Sequence, residues 1–150
     1  MGTYREIKTY IDHNPLAIVS TISSEGTPHG AVVYACADSE RPVVYFITKQ
    51  ETKKYQNLRE HSQVSLTIVN PAENSTLQAD GRAFDVADAI TIDMVMTTIT
   101  QKHASATEWL PPIAKLRAGA YTVVGVELAH ARLARFEGMD IGDERIFTRL

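Results

Sequence analysis

Three lysines and two threonines occur within the segment TKQETKK, residues 48–54. The segment follows an apolar run, 43–47, that is typical of a strand, and it leads into a polar stretch of helical composition. Thr48 and Glu51 have the spacing of a capping box, which predicts that a helix begins here. A helix N-terminus carries partial positive charge, so each added cation there costs about 0.3–1 kcal/mol. The position of the lysines therefore needs a physical reason.

Two interpretations account for these lysines. In the first, they are solvated surface charges, and Glu51 offsets part of their repulsion. In the second, they form an anion site, because a phosphate at a helix N-terminus gains free N–H groups, the helix dipole and the ammonium charges together. The hydroxyls of Thr48 and Thr52 would add donors. The composition of the segment is consistent with both interpretations.

Other residue types that perform chemistry are scattered along the chain. No two histidines have HxH or HxxxH spacing with an acidic neighbour, so no metal site is predicted. The sequence has neither a GxSxG nucleophile motif nor a glycine-rich phosphate loop. The single cysteine, Cys36, excludes an intrachain disulfide and a CxxC pair, and its apolar neighbours predict a buried, unreactive thiol. The histidines are His13, His29, His61, His103 and His130.

The composition predicts one globular domain, residues 1–150. An apolar content of 44% is sufficient for a core, and a net charge of −3 gives no electrostatic reason to expect nucleic acid or an anionic membrane as a partner. No apolar run is long enough to span a membrane, and the first residues lack the apolar core of a signal peptide. We therefore expect a cytoplasmic protein that binds neither membranes nor nucleic acid.

Alternation of apolar and polar residues divides most of the chain into strands. In the segment QVSLTIVN, Val64, Leu66 and Ile68 alternate with polar residues, which predicts a half-buried strand. Gly81 predicts a bulge or bend in the next strand. The predicted strands are 16–22, 29–37, 43–47, 63–70, 76–86, 121–128 and 131–136, and the predicted helices are 3–14, 51–62 and 88–102.

These elements favour a mainly β fold with inserted helices. The first three strands follow one another without crossover helices, which argues against a doubly wound parallel sheet. Spacing typical of hairpins instead predicts a small antiparallel barrel of about six or seven strands.

Several motifs follow one another in a fixed order between residues 15 and 87. They are a strand before a G-x-P turn (Gly26, Pro28), a strand ending in Phe46-Ile47-Thr48, the Thr-Lys-Lys helix start, V-S-L at 64–66 and LQADGRA at 77–83. This ordered set resembles the core of the pyridoxamine 5′-phosphate oxidase-like family of FMN-binding split β-barrels. The last third of the chain matches only in outline.

The resemblance implies where FMN would bind. In that family FMN lies at a homodimer interface, and a basic pair at a helix start holds its phosphate. The matching residues here are Lys53 and Lys54, with Thr52 beside them. Relatives often have arginine at the first of these positions, and Lys53 keeps the charge but loses bidentate geometry. The resemblance therefore favours an anion site over solvated lysines.

The resemblance implies further FMN contacts from two strands and from the partner subunit. Ile47 and Thr48 would lie against the ribityl chain or the ring. Thr76 occupies a position where relatives often supply a glutamine from the partner subunit, which weakens one expected contact. Backbone N–H and C=O groups of the second strand would face the polar edge of the isoalloxazine, and the residues concerned are Ala31, Val32, Val33 and Tyr34.

The chain departs from the authentic vitamin B6 oxidase at several positions. Ala31 and Cys36 stand where that enzyme has an arginine and a lysine on the second strand. Its C-terminal extension with tryptophan and arginine has no clear counterpart, although Trp109, Arg145 and Arg149 could partly substitute. The sequence is more similar to short relatives of the general-stress or nitroimidazole-resistance type.

The resemblance implies a homodimeric FMN oxidoreductase that moves electrons between a reduced nicotinamide or small substrate and a small acceptor. No side chain is assigned as general acid or base. Two alternatives remain: a flavin-binding protein without turnover, and a relative that uses a deazaflavin or haem. Haem would take His29 or His103 as its axial ligand. Trp109 is a candidate for stacking on the flavin, and His103 and Ser105 are candidates for reaching the partner's flavin.

Overall fold

The computed structural model describes residues 2–103, 120–136 and 147–150. Trp109, Ser105 and Arg145 lie outside the described residues. The helices are α1 (Gly2–His13), α2 (Lys53–Glu60) and α3 (Ala89–Thr97), and a π-helical segment (Thr98–His103) continues α3. The strands are β1 (Leu16–Ile22), β2 (Pro28–Tyr34), β3 (Cys36–Ala37), β4 (Val43–Lys49), β5 (Gln63–Asn70), β6 (Ser75–Asp85), β7 (Tyr121–Arg135) and β8 (Phe147–Arg149).

The described strands form one antiparallel sheet in the order β2-β1-β5-β6-β7-β4-β3, with β8 paired to β7. The two outermost strands of this order, β2 and β3, are consecutive in the chain and are separated only by Ala35. The sheet must therefore curl until its two ends meet. The predicted single strand 29–37 is thus wrong in one respect, because it breaks at Ala35 where the chain passes from one end of the sheet to the other.

A β-bulge in the middle of the sheet increases this curl. The pairing of β6 with β7 shifts register between Asp80 and Gly81, where Asp80 pairs with His130 and Gly81 with Leu128. A Cβ at Gly81 would lie 2.0 Å from the carbonyl oxygen of Glu127, so only glycine fits. The bulge predicted at Gly81 is confirmed.

The predicted pair of final strands, 121–128 and 131–136, is one strand, β7. Its burial pattern changes phase at the bulge, with Leu128 buried before it and Ala131 and Leu133 buried after it. In the sequence, this change of phase resembles the break between two strands, and it therefore led to the prediction of two strands. The N-terminal half of β7 pairs with β4 and the C-terminal half with β8, so β7 connects the two parts of the sheet.

The inner face of the curled sheet forms the main core. Ile7 and Ile11 of α1 are buried there, one helical turn apart as the sequence predicts, together with Tyr55 of α2. The hydroxyl of Tyr10 lies 3.1 Å from that of Ser75, which joins α1 to β6. The half-buried β5 is confirmed, with its apolar residues on this inner face.

A second, smaller core covers the outer face of β4. Asp88 caps α3 as predicted, its carboxylate accepting a hydrogen bond from the Thr91 N–H at 2.8 Å. Val95 and Ile99 of the predicted apolar stripe are buried against Tyr45 and other residues of this face. Tyr34 of β2 also belongs to this core and Leu16 of β1 packs against it, whereas Ile18, Val32 and Val69 are exposed elsewhere on the outer face of β1, β2 and β5. None of the described helices is long and apolar enough to cross a bilayer.

Candidate functional site

The helix that follows β4 begins four residues later than the capping-box pattern predicts. Its N-cap is Thr52, whose Oγ1 accepts a hydrogen bond from the Tyr55 N–H at 3.4 Å, and Lys53 is the first helical residue. The prediction that Thr48 and Glu51 start the helix is therefore wrong. Thr48 instead belongs to β4, which continues through Lys49, and its side chain is buried.

Thr48 still contributes to the helix start. Its hydroxyl lies 2.8 Å from that of Thr52, and the Thr52 N–H donates to the Lys49 carbonyl at 3.1 Å. A tight turn thus connects the end of β4 to the first turn of α2, with two hydroxyl groups at the junction.

Lys49 belongs to the strand rather than to the helix start. It pairs with Tyr121 across the sheet, is 3% exposed, and holds its ammonium 5.1 Å from the centroid of the Tyr121 ring. Adjacent residues of a strand point to opposite faces, so Lys49 lies on the face opposite to the Thr48 hydroxyl. Only two of the three lysines therefore occupy the helix N-terminus.

Those two lysines have different surroundings. Lys53 is exposed, whereas Lys54 lies on the same side of α2 as Asn57 and Leu58, which pack on the barrel. Burial lowers the pKa of Lys54, because it penalises the charged form. Among the described residues no carboxylate lies within ion-pair distance of either lysine. A partly desolvated ammonium at a helix N-terminus therefore lacks a counter-charge from the described part of the protein.

Lys53 lines a cleft of about 540 Å³ between α2 and the β1–β2 turn. Three carboxylates line it, those of Glu25, Glu51 and Glu60. An anion is disfavoured in this cleft, so an anion at the helix start would bind on the Lys54 side.

Two hydrogen bonds fix the position of α2. The buried Asn57 side chain donates from Nδ2 to Thr21 Oγ1 of β1 at 3.0 Å, and the Tyr55 hydroxyl donates to Asp85 Oδ2 of β6 at 3.1 Å. Burial and this carboxylate raise the pKa of Tyr55. Sequence reasoning missed these residues, although a polar Asn57 on the packing side of an amphipathic helix is a signal that could have found them.

The predicted flavin-facing residues Ala31, Val32, Val33 and Tyr34 lie on β2, an end strand of the sheet order. β2 pairs with β1 on one side only among the described strands, so its other side has backbone groups directed out of the sheet. Val32 is exposed, whereas Val33 and Tyr34 are buried. The strand therefore has backbone donors and acceptors directed away from β1, and its contact with a flavin stays a prediction.

The structure brings three of the predicted parts together. β2 contacts both β4, where Ile47 and Thr48 lie, and α2, where Lys53 and Lys54 lie. We call this region the α2 corner. Thr76 is not part of it within one protomer, because it lies on β6 opposite Val69 and Ala134.

Cys36 is buried, and burial raises the pKa of its thiol to about 11. Its sulfur lies 3.9 Å from that of Met94. The thiol is therefore protonated at neutral pH, which agrees with the predicted buried, unreactive cysteine.

The curled antiparallel sheet and its helices define a split β-barrel. A sequence model of the family named pyridoxamine 5′-phosphate oxidase matches residues 4–134, which is most of the chain. The chain therefore belongs to the pyridoxamine 5′-phosphate oxidase family. No curated protein matches the sequence significantly.

Solved structures show the same fold at low sequence identity. General Stress Protein 26 from Bacillus anthracis is 17% identical, with a TM-score of 0.65 over 89% of this chain and 94% of that one. A putative pyridoxamine 5′-phosphate oxidase from Listeria innocua is 14% identical, with a TM-score of 0.66 over 87% and 96%. HutZ, a heme storage protein from Vibrio cholerae, is 15% identical, with a TM-score of 0.61 over 83% and 88%.

Proposed function

We propose that this protein is an FMN-dependent oxidoreductase that binds the phosphate of FMN at the α2 corner. The observation that carries the proposal is Lys54, a partly buried ammonium in the first turn of α2 with a lowered pKa and no described carboxylate partner. A phosphate there gains the helix dipole, free N–H groups and the charge of Lys54 at once.

The other residues of the corner have complementary roles. Lys53 is exposed and would approach the same phosphate from the solvent side, and the hydroxyls of Thr48 and Thr52 would be donors beside it. Ile47, the residue before Thr48 on β4, is buried in the smaller core. The segment of β2 with Ala31, Val32, Val33 and Tyr34 has backbone groups directed away from β1, and these suit the polar edge of a flavin, because that edge needs donors and acceptors at fixed places.

Bound FMN would supply two-electron chemistry between a reduced nicotinamide or small substrate and a small acceptor. The protein would position the cofactor, hold the ring against β2 and exclude water from one of its faces. The proposal assigns no proton-transferring side chain.

The proposal includes a homodimer with the flavin at the interface. Ile18, Val32 and Val69 are exposed on the outer face of the sheet, and an apolar patch of this kind is typical of a contact surface. Thr76 faces the same side, and it would approach a flavin only across such an interface. Gln78, the next outward residue on β6, carries the side-chain amide that Thr76 lacks, so we expect Gln78 to make that contact.

Flavin titrations test the phosphate assignment. Replacing Lys53 and Lys54 with alanine should weaken FMN binding by several kcal/mol, at about 1.5–3 kcal/mol for each hydrogen bond to a charged group. Riboflavin binding should hardly change, because riboflavin has no phosphate. Fluorescence quenching with both ligands on the wild-type protein and the double variant measures the difference.

A Lys8→Ala variant is the matched control, because Lys8 lies on α1 and pairs with Asp12. It should leave both affinities unchanged. Equal losses of FMN and riboflavin in the double variant would contradict the phosphate assignment.

A second candidate function is cofactor storage without turnover. It is favoured by the neighbour HutZ, a heme storage protein of the same fold. Anaerobic mixing of the FMN-loaded protein with each reduced nicotinamide separates the two functions. Bleaching of the flavin absorbance supports the oxidoreductase, and an unchanged spectrum with both nicotinamides favours storage.

A further inference from the structure

Lys49 is a buried cation that the proposed function does not use. It is 3% exposed, and its Nζ lies 5.1 Å from the centroid of the Tyr121 ring. Among the described residues, no carboxylate lies within ion-pair distance of this ammonium, and no oxygen accepts a hydrogen bond from it. A buried ammonium is costly unless negative charge compensates it. Lys49 therefore favours negative charge that develops in its vicinity.

The backbone of Lys49 is fixed at the α2 corner. Its carbonyl accepts hydrogen bonds from the Thr52 N–H at 3.1 Å and from Thr52 Oγ1 at 2.8 Å. Its side chain extends along the face of β4 that carries Tyr45 and Ile47, because alternate residues of a strand share a face. The ammonium is thus attached to the residue that caps α2, but it points into the smaller core.

The end of β4 that carries Lys49 has an open edge. β3 pairs with β4 only before residue 46, so residues 46–49 pair with β7 alone among the described strands. β2 contacts β4 without pairing with it. Tyr34 of β2 and Ile47 of β4 belong to the same smaller core. The proposed position of the flavin ring along β2 therefore adjoins the segment of β4 that ends at Lys49.

We propose that Lys49 raises the reduction potential of bound FMN through its buried positive charge. This inference rests on the proposed function, since it requires FMN at the α2 corner. Reduction of FMN by two electrons with uptake of one proton leaves a negative charge on the ring system, whereas the oxidised ring is neutral. A fixed cation therefore stabilises the reduced form more than the oxidised form. Burial strengthens the effect, because solvent and salt screen a buried charge much less than an exposed one.

This role differs from that of Lys53 and Lys54. Those two lysines would hold the phosphate, whose charge does not change when the ring is reduced, so they stabilise both redox forms to a similar extent. The potential of bound FMN relative to that of free FMN reports the ratio of the affinities for reduced and oxidised FMN. It therefore isolates an interaction with the ring from an interaction with the phosphate.

Anaerobic titration of the FMN-loaded full chain with dithionite, in the presence of a reference dye, tests the proposal. Lys49→Met should lower the affinity for reduced FMN relative to oxidised FMN by about tenfold or more, which is about 30 mV for a two-electron couple. Lys49→Arg retains the charge and should keep a potential close to that of the wild-type protein. Arg5→Met is the matched control, because it removes an exposed cation on α1, and it should leave the potential unchanged.

Circular dichroism and the absorbance of retained FMN check that each variant is folded and loaded. Lys49→Gln is the second neutral variant, and it should lower the potential in the same direction as Lys49→Met. An unchanged potential in both neutral variants, or an equally lowered potential in Lys49→Arg, would overturn the inference and leave the phosphate site intact. Failure of the wild-type protein to bind FMN would instead refute the proposed function, and this role of Lys49 with it.

Discussion

Lys54 is the residue on which the proposed phosphate site depends. It lies in the first turn of α2, on the side that packs against the barrel, and burial lowers its pKa. A lowered pKa means that the charged form costs folding free energy without a ligand. The cost is present below the folded-state pKa and disappears above the unfolded value, where the amine is neutral in both states.

Replacing Lys54 with methionine should therefore stabilise the ligand-free protein at neutral pH while it weakens FMN binding. The expected gain is up to about 1 kcal/mol, or a rise of roughly 2–4 °C in Tm for a chain of this size. The gain should shrink as the pH rises through the folded-state pKa of Lys54, and it should be lost above the unfolded pKa of lysine. Thermal unfolding of the ligand-free protein at several pH values measures it.

Lys53→Met is the comparison, because Lys53 is exposed and should change the Tm little. If Lys54→Met lowers the Tm relative to Lys53→Met, then the ammonium is stabilised within the protein itself and needs no anionic ligand.

At the scale of elements, the bulge at Gly81 determines where the sheet bends. It changes the phase of β7, so that Leu128 and Ala131 are both buried although they are three residues apart. Asp80 and His130, which pair with each other next to the bulge, are both exposed. A close backbone contact holds the bulge, because the Glu127 carbonyl oxygen lies where a Cβ at position 81 would be.

Gly81→Ala should consequently destabilise the protein by about 3 kcal/mol or more, because neither backbone can move without breaking the pairing of β6 with β7. Urea unfolding gives the free energy. Gly30→Ala is a suitable control, since a Cβ there meets only the Ile18 Cγ2 at an ordinary 3.6 Å. A loss below about 1 kcal/mol in Gly81→Ala would mean that the bulge adapts easily.

At the scale of the whole molecule, the fold class followed from the sequence because most strands carry a clear local pattern. β5 alternates strictly and was predicted at its observed bounds, 63–70. β7 was divided in two because its phase change depends on a contact with β6, which is distant in sequence. The number of strands, the strand order and the closure through Ala35 likewise arise from long-range pairing.

The candidate site was predicted unevenly for similar reasons. The Thr-Lys-Lys order located the helix start, but the capping box placed it too early, since the local pattern does not show that β4 extends through Lys49. The distinction between Lys53 and Lys54 depends on how α2 is turned against the barrel. Asn57 and Thr21, which set that orientation, are far apart in the sequence and meet only in the fold.

A crystal structure of the protein grown with FMN tests the central claim most directly. We expect the phosphate within hydrogen-bond distance of Lys54 Nζ and the Thr52 hydroxyl, at the start of α2, with the flavin ring along β2 and between two protomers. Electron density for FMN elsewhere, or only solvent beside Lys54 at saturating FMN, would contradict the account.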